Sequence, residues 1–217
     1  MRQGFSWLMA GIVASGMLAG LAGCKPNPAT QKSEDTAKPA SQPVVALDPA
    51  TLGAVSGTIR LSGQAPERLR IDMSQDPVCS MMGGDNFAEQ YVVHDGKLAN
   101  VYIYVKSGPP AAMSAPATTT APVVLDQVGC KYVPHVIGVM RGGSVEFRNS
   151  DGTMHNIHTM PTVAANKEID VSQGPRGAPQ VREFPQPEVM MPVRCNNHPW
   201  MNAFINVSAT PFFAVTN

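Results

Sequence analysis

Short apolar runs separated by turn residues are the feature that most limits what this chain can fold into. From about Gly53 onward, runs rich in Val, Ile, Phe and Tyr are punctuated by Gly, Pro, Asn and Asp, and no long stretch has a helical period. The candidate strands are 55–61, 100–106, 123–125, 135–140, 144–148, 190–194, 202–207 and 212–215. Many short strands with turns between them predict an all-β sandwich or barrel.

The N-terminal segment has the pattern of an export signal. Arg2 is followed by an almost wholly apolar or small run over 5–21, which ends in the string Leu21-Ala22-Gly23-Cys24. This string resembles the lipobox of bacterial lipoproteins, in which the signal is cut before the cysteine and its thiol carries a diacylglycerol. The alternative is a membrane-spanning helix, but a span needs about 20 apolar residues. We therefore expect residues 1–23 to be a signal peptide and Cys24 to be lipidated.

Residues 24–52 form a second region, which is rich in Pro, Ala, Ser, Thr and charged residues. Such a segment cannot bury enough apolar surface to fold, so we expect a flexible tether between the lipid and one domain over 53–217. Without residues 1–23 the chain carries 15 basic and 16 acidic residues, a formal net charge of −1. This balance offers no basic face for nucleic acid.

The string Cys195-Asn196-Asn197-His198-Pro199-Trp200-Met201 carries the most specific chemistry. A thiolate, an imidazole and a thioether within seven residues form a soft ligand set, and soft ligands select copper. Zinc has little use for a thioether. Because candidate strands 190–194 and 202–207 flank the string, we expect it to be a tight loop that joins two adjacent strands.

A second histidine is needed, because a blue-copper site combines two His, one Cys and a long axial Met. His155 is the best placed, after strand 144–148 and the turn 149–152, and Asn156 follows it directly. His158 lies three residues farther on, so in a strand it would point to the opposite face. The candidates considered are His94, His135, His155 and His158.

The segment GGSVEFRNSDGTMHNIH, followed by CNNHPWM, resembles the cupredoxins, the plastocyanin- and amicyanin-like blue copper proteins. The resemblance covers about 138–207 and implies a Greek-key β-sandwich, here with an N-terminal β extension. It implies one type 1 copper ion, and that Asn156 ties the two ligand loops together. The implied ligands are His155, Cys195, His198 and Met201. The rest of the chain looks more like a larger group of exported bacterial plastocyanin-like proteins.

The four cysteines have separate expected uses. If Cys24 carries lipid and Cys195 binds copper, Cys79 and Cys130 remain, and an exported pair persists as a disulfide. The alternative is two unrelated buried thiols. His135 is interpreted as structural. The thirteen methionines are interpreted as core filler, with a methionine-lined copper entry route or docking surface as the alternative.

These features predict an electron carrier and not an enzyme. In cupredoxins the C-terminal ligand histidine is usually the exposed edge of the metal, which predicts that His198 lies at the surface. The expected partner is a redox protein such as a c-type cytochrome or a membrane dehydrogenase or oxidase. We expect an exported, lipid-anchored protein that faces the periplasm, on the outer membrane in a diderm, or the cell surface. The alternatives are a copper chaperone or storage lipoprotein, a multicopper enzyme, and a metal-free adhesion module.

Overall fold

A computed structural model describes residues 48–82, 84, 86–114 and 121–217. The predicted signal peptide, the lipidation site Cys24 and most of the tether lie outside the described residues. The described residues contain a single 3-10 turn (Pro49–Thr51) and two short α-helices, α1 (Pro77–Met81) and α2 (Pro110–Met113). No helix in the described part of the chain is long and apolar enough to cross a membrane. The strands are β1 (Val93–His94), β2 (Lys97–Leu98), β3 (Tyr102–Tyr104), β4 (Val123–Val128), β5 (Lys131–Val133), β6 (Val136–Met140), β7 (Gly143–Asn149), β8 (His155–Thr159), β9 (Ile169–Gln173), β10 (Gln180–Phe184), β11 (Glu188–Arg194), β12 (Asn202–Ser208) and β13 (Phe213–Val215).

Two larger sheets form a sandwich, as expected for the all-β class, and two further sheets of two strands each, β1-β2 and β13-β3, lie outside it. The first has the order β10-β7-β4-β5 and the second the order β6-β12-β11-β8-β9. The neighbours β4 and β7 run parallel, as do β6 and β12, and the other pairs within these two sheets are antiparallel. The consecutive pairs β4–β5, β8–β9 and β11–β12 stay in one sheet, whereas the other connections from β5 to β11 cross between the two sheets, which gives the sandwich a Greek-key character.

The core lies between the two sheets. In β7, Val145 and Phe147 point inward and are fully buried, while Glu146 and Arg148 alternate outward and pair with each other at 2.6 Å. Burying a side chain of this size stabilises the fold by roughly 1.5–3 kcal/mol. The fully buried apolar residues from the second sheet are Ile157, Val193, Ala203 and Ile205.

The sandwich begins earlier than the predicted core boundary at residue 138. Strand β4 lies in the interior of the first sheet, between β7 and β5, and its Leu125 is fully buried. The resemblance to cupredoxins started only at residue 138, so it missed the strands that complete the first sheet. The core therefore spans Val123 to Ser208.

The predicted N-terminal β extension is present as short strands, but the candidate strand 55–61 is wrong. Segment 55–61 forms no strand, and it contacts β2 only through an isolated bridge between Arg60 and Lys97. Only the two-residue strands β1 and β2 and the three-residue β3 are found before the sandwich, and β3 pairs with the C-terminal β13. Segment 55–61 alternates like a strand but is mostly exposed, so no buried face selects that conformation.

A buried carboxylate joins β11 to the loop after β8. Glu188 accepts hydrogen bonds from the amide of Thr162 at 2.6 Å, its hydroxyl at 2.9 Å, and Asn166 Nδ2 at 3.0 Å. Burial raises the pKa of Glu188, but these hydrogen bonds outweigh it and hold the pKa below its ordinary value. The ionised carboxylate therefore stabilises this loop.

Candidate metal centre

The predicted ligands lie on two neighbouring parts of the second sheet. His155 is the first residue of β8, and the loop Cys195–Met201 joins β11 to β12, as expected. Strand β11 pairs with β12 at Arg194 and Asn202, and with β8 at Arg194 and His158. The sheet register therefore places the loop beside the start of β8.

Three of the predicted side chains converge on one buried point. His155 Nδ1 lies 2.9 Å from His198 Nδ1, and Cys195 Sγ lies 3.6 Å from His198 Nδ1. Their ligand atoms all lie within 4.8 Å of one another, and the three residues are between 0 and 4 % exposed. This arrangement gives a sulfur and two nitrogens that face a common centre.

The outer nitrogens of both imidazoles are bonded to carboxylates. His155 Nε2 donates to Asp151 Oδ2 at 2.9 Å, and His198 Nε2 donates to Asp76 Oδ2 at 3.0 Å. An ionised carboxylate only accepts, so each Nε2 carries the hydrogen and each Nδ1 of a neutral ring presents a lone pair. When both rings are neutral, the two Nδ1 lone pairs face each other at 2.9 Å, an arrangement that a cation between them stabilises, so the geometry can hold a metal ion.

Without a metal ion, a proton on His155 Nδ1 takes the place of that cation. Burial lowers the pKa of His155, but the hydrogen bond to Asp151 and the nearby Cys195 outweigh it and raise the pKa to about 8 without metal. Burial also raises the pKa of Asp76, but hydrogen bonds from the Cys79 amide and His198 bring it down to about 2. Both groups would therefore be charged in the metal-free protein at neutral pH.

The surroundings of Cys195 favour its thiolate form, which is the form that binds a metal. Burial raises the pKa of its thiol, but hydrogen bonds from His155 and from backbone amides, including that of Asn156, outweigh burial and lower the pKa. The Asn156 amide lies 3.3 Å from Cys195 Sγ, and Asn156 Oδ1 accepts the Asn196 amide at 3.3 Å. Asn156 therefore links β8 to the ligand loop through two hydrogen bonds, one to the sulfur of Cys195 and one from the amide of Asn196.

The donor set suits a soft ion. Bonds from a metal to imidazole nitrogen and to thiolate sulfur are about 2.0 and 2.3 Å, so the observed separations allow all three atoms to contact one ion. Met201 is buried at the end of the same loop, where its amide donates to the His198 carbonyl and its carbonyl accepts the Cys195 amide. Its role as an axial ligand stays a prediction.

The other candidate histidines lie elsewhere. His158 is on the opposite face of β8, where its nitrogens bond to Asn196 Oδ1 at 3.0 Å and Glu168 Oε1 at 2.9 Å. His135 Nδ1 is bonded to the Asn202 carbonyl at 3.0 Å, in agreement with a structural role. Strand β1 ends at His94, which is exposed.

The expectation that His198 lies at the surface is wrong. Its side chain is only 4 % exposed, because the segment around α1 covers its outer edge. Asp76 bonds to Nε2, and Cys79 Sγ lies 3.8 Å from the same nitrogen. The Trp200 ring lies 5.1 Å from the imidazole, and its Nε1 donates to the Cys130 carbonyl. The pair Asp76-Pro77, three residues before Cys79, is a sequence signal for the start of a helix there, but it does not show what that helix covers.

The predicted disulfide between Cys79 and Cys130 is present, with 5.7 Å between the Cα atoms. Two further groups of possible ligands lie beside the centre, Asp76–Cys79–His198 and Cys130–Asp151–His155. Each contains a cysteine of this disulfide, so neither offers a thiolate while the bond is intact. Asp151 and Asp76 were not among the predicted site residues, because a lone aspartate in a turn carries no signal for a site.

The chain is similar, at low sequence identity, to several solved structures of copper proteins. A copper-containing nitrite reductase from Thermus scotoductus is 21% identical over 64% of this chain, with a TM-score of 0.36, and the match covers 28% of the reductase. A purple cupredoxin from Nitrosopumilus maritimus is 22% identical over 40% of this chain and 99% of its own, with a TM-score of 0.32. An amicyanin variant in the Cu(I) form is 18% identical over 49% of this chain and 98% of its own, with a TM-score of 0.37. Neither a family model nor a curated protein matches the chain.

The order of the strands and the position of the loops are the observations that decide the fold. The two sheets pack as a sandwich, and the second sheet carries both a His-Asn pair at the start of β8 and a Cys-x2-His-x2-Met loop between β11 and β12. The chain has a cupredoxin-like fold. In this cupredoxin-like protein the segment that covers His198 is supplied by residues before the sandwich.

Proposed function

We propose that this protein binds one copper ion in a type 1 site and carries single electrons between redox partners. The observation that carries the proposal is the buried convergence of Cys195 Sγ with the Nδ1 atoms of His155 and His198. When bound there, copper would supply a centre that cycles between Cu(I) and Cu(II). Met201 would be the axial ligand.

The chain's own residues would keep the ligands in place during that cycle. Tyr132 is buried beside Cys195, and its hydroxyl donates to the carbonyls of Asn156 and Arg194, one in each ligand-bearing segment. Asp170 Oδ1 accepts from both Asn156 Nδ2 and Asn196 Nδ2. These bonds limit movement of the loop, and small movement favours electron exchange over copper exchange.

The burial of the centre supports a carrier over a chaperone or a store. A protein that passes on its metal must present the ligands to an acceptor, whereas His155, Cys195 and His198 are each at most 4 % exposed. An electron can instead leave through a side chain in contact with the centre. Trp200 lies against His198, is partly exposed, and lines a cavity of about 190 Å³ together with Phe87.

We propose that a redox protein, such as a c-type cytochrome or a membrane dehydrogenase or oxidase, docks near Trp200. Weak electron-transfer encounters use small interfaces, typically under about 1,200 Å². The lipobox-like string that ends in Cys24 supports export and a lipid anchor facing the periplasm or the cell surface. The charge balance supports a protein partner over a nucleic acid.

Two rates measured on one preparation test the proposal. A carrier should exchange electrons with a small cytochrome rapidly and keep its copper when an acceptor protein is added. Trp200→Glu should slow electron exchange, while Val181→Glu, an exposed position on the edge strand β10, should not. Fast copper transfer with slow electron exchange would contradict the carrier function and favour the chaperone.

A further inference from the structure

The outer edge of His198 is closed by a segment that precedes the sandwich. Asp76 Oδ2 accepts the hydrogen of His198 Nε2 at 3.0 Å, and it also accepts the hydroxyl of Thr153 at 3.2 Å. Cys79 Sγ lies 3.8 Å from the same His198 nitrogen. The outer edge of this imidazole therefore faces a carboxylate and a disulfide.

Asp76 is itself fixed at the start of α1. Its other oxygen, Oδ1, accepts the amides of Val78 at 2.7 Å and Cys79 at 3.0 Å, so it is the N-cap of the helix. The helix is tied to the sandwich by the disulfide between Cys79 and Cys130. The two oxygens of Asp76 therefore bind different groups: Oδ1 caps the helix, and Oδ2 accepts the hydrogen of the His198 imidazole.

The same disulfide reaches the second ligand histidine. The Cys130 amide donates to Asp151 Oδ2 at 2.8 Å, and that oxygen also accepts from His155 Nε2. Cys130 also holds Trp200 through its carbonyl. The two cysteines of the disulfide therefore hydrogen bond to Asp76, Asp151 and Trp200, which all lie beside the ligand histidines.

We propose that Asp76 is a positioning residue for His198, and that the segment Asp76–Met82, fixed by the disulfide, seals the candidate copper centre. The proposal rests on the proposed function, since it assigns these residues a task at the same centre. An anionic acceptor fixes the ring with Nδ1 toward the centre and makes the imidazole a stronger donor. A stronger donor favours Cu(II) over Cu(I), so Asp76 lowers the reduction potential.

The first test is Asp76→Asn. The amide has one oxygen, so it can keep the helix cap but cannot also offer an acceptor to His198 Nε2, and asparagine is a good N-cap. The matched control is Glu168→Gln, which makes the same change of charge at the histidine–carboxylate pair with His158.

Reduction potentials of the copper-loaded full chains decide this part of the proposal. We expect Asp76→Asn to weaken the preference for Cu(II) about tenfold, which raises the potential by about 59 mV for one electron. Glu168→Gln should shift it by much less. A potential for Asp76→Asn that is no higher than that of the control would overturn the assignment.

The second test measures how well the segment Asp76–Met82 seals the centre, as the rate at which copper is lost to a chelator. Copper-loaded Cys79→Ala/Cys130→Ala should lose copper to a small chelator at least about tenfold faster than the parent protein, because the segment is no longer tied down. Equal rates would overturn the seal. Failure of the proposed function would look different, since the parent protein itself would then bind copper without the absorption of a type 1 site.

Discussion

Removing the disulfide between Cys79 and Cys130 should lower the stability of the protein by an amount set by the length of the loop that it closes. Cys79 and Cys130 are 51 residues apart, and both are fully buried. In the chain-entropy model, closing a loop of this length removes freedom from the unfolded state worth about 4 kcal/mol. Replacing both cysteines with alanine should therefore lower the free energy of unfolding of the copper-free protein by about 4 kcal/mol. For a chain of this size, that corresponds to a fall in Tm of roughly 8–16 °C.

Urea unfolding of the copper-free parent and double variant, analysed by linear extrapolation, is the assay. Cys195→Ser is a useful control, because it removes a buried thiol near the same centre without opening the loop. A loss below about 1 kcal/mol in the double variant would refute the reasoning. It would mean that the segment around α1 is held by its packing alone, through residues such as Met73.

Three further predictions concern packing, pH and the ligands. Gly138→Ala should destabilise by about 1–3 kcal/mol in urea, because the added Cβ would lie 2.6 Å from the Phe213 ring; an unchanged midpoint would contradict this contact. Glu188→Gln should flatten the acid side of the profile of Tm against pH. A carboxylate with a lowered pKa stabilises the folded state at neutral pH and loses that effect as the pH falls through the folded pKa. An unaltered profile would count against this prediction. His155→Ala should abolish the visible absorption of the copper-loaded protein and His158→Ala should leave it nearly intact, and the reverse would show that the wrong face of β8 was chosen.

The parts of the fold that depend on local pattern could be predicted from the sequence. Segment 144–148, predicted as a strand, lies within β7, and its apolar residues Val145 and Phe147 are buried. The string 195–201 joins two adjacent strands because its flanks are strand-like and its interior contains Pro199. Strands β9 and β10 were missed, because their less exposed positions include polar residues, Gln173 in β9 and Gln180 and Arg182 in β10, so the apolar pattern of a strand is weak in both.

The parts that depend on contacts between distant residues could not be predicted. Asp76 and His198 are 122 residues apart, and nothing in the residues around either one specifies the other. The cysteine count alone hinted that the N-terminal part returns to the sandwich. Because the cover of His198 arises from this return, the prediction of an exposed His198, taken from the resemblance to cupredoxins, was wrong.

The absorption spectrum of the copper-loaded protein tests the central claim most directly. If Cys195 Sγ and the two Nδ1 atoms bind one copper ion, the Cu(II) protein should be intensely blue or green from thiolate-to-copper charge transfer. Cys195→Ser should be colourless under the same conditions, because the electron-donating sulfur is gone. A parent protein that binds copper and stays colourless, or a Cys195→Ser variant that keeps the colour, would contradict the account.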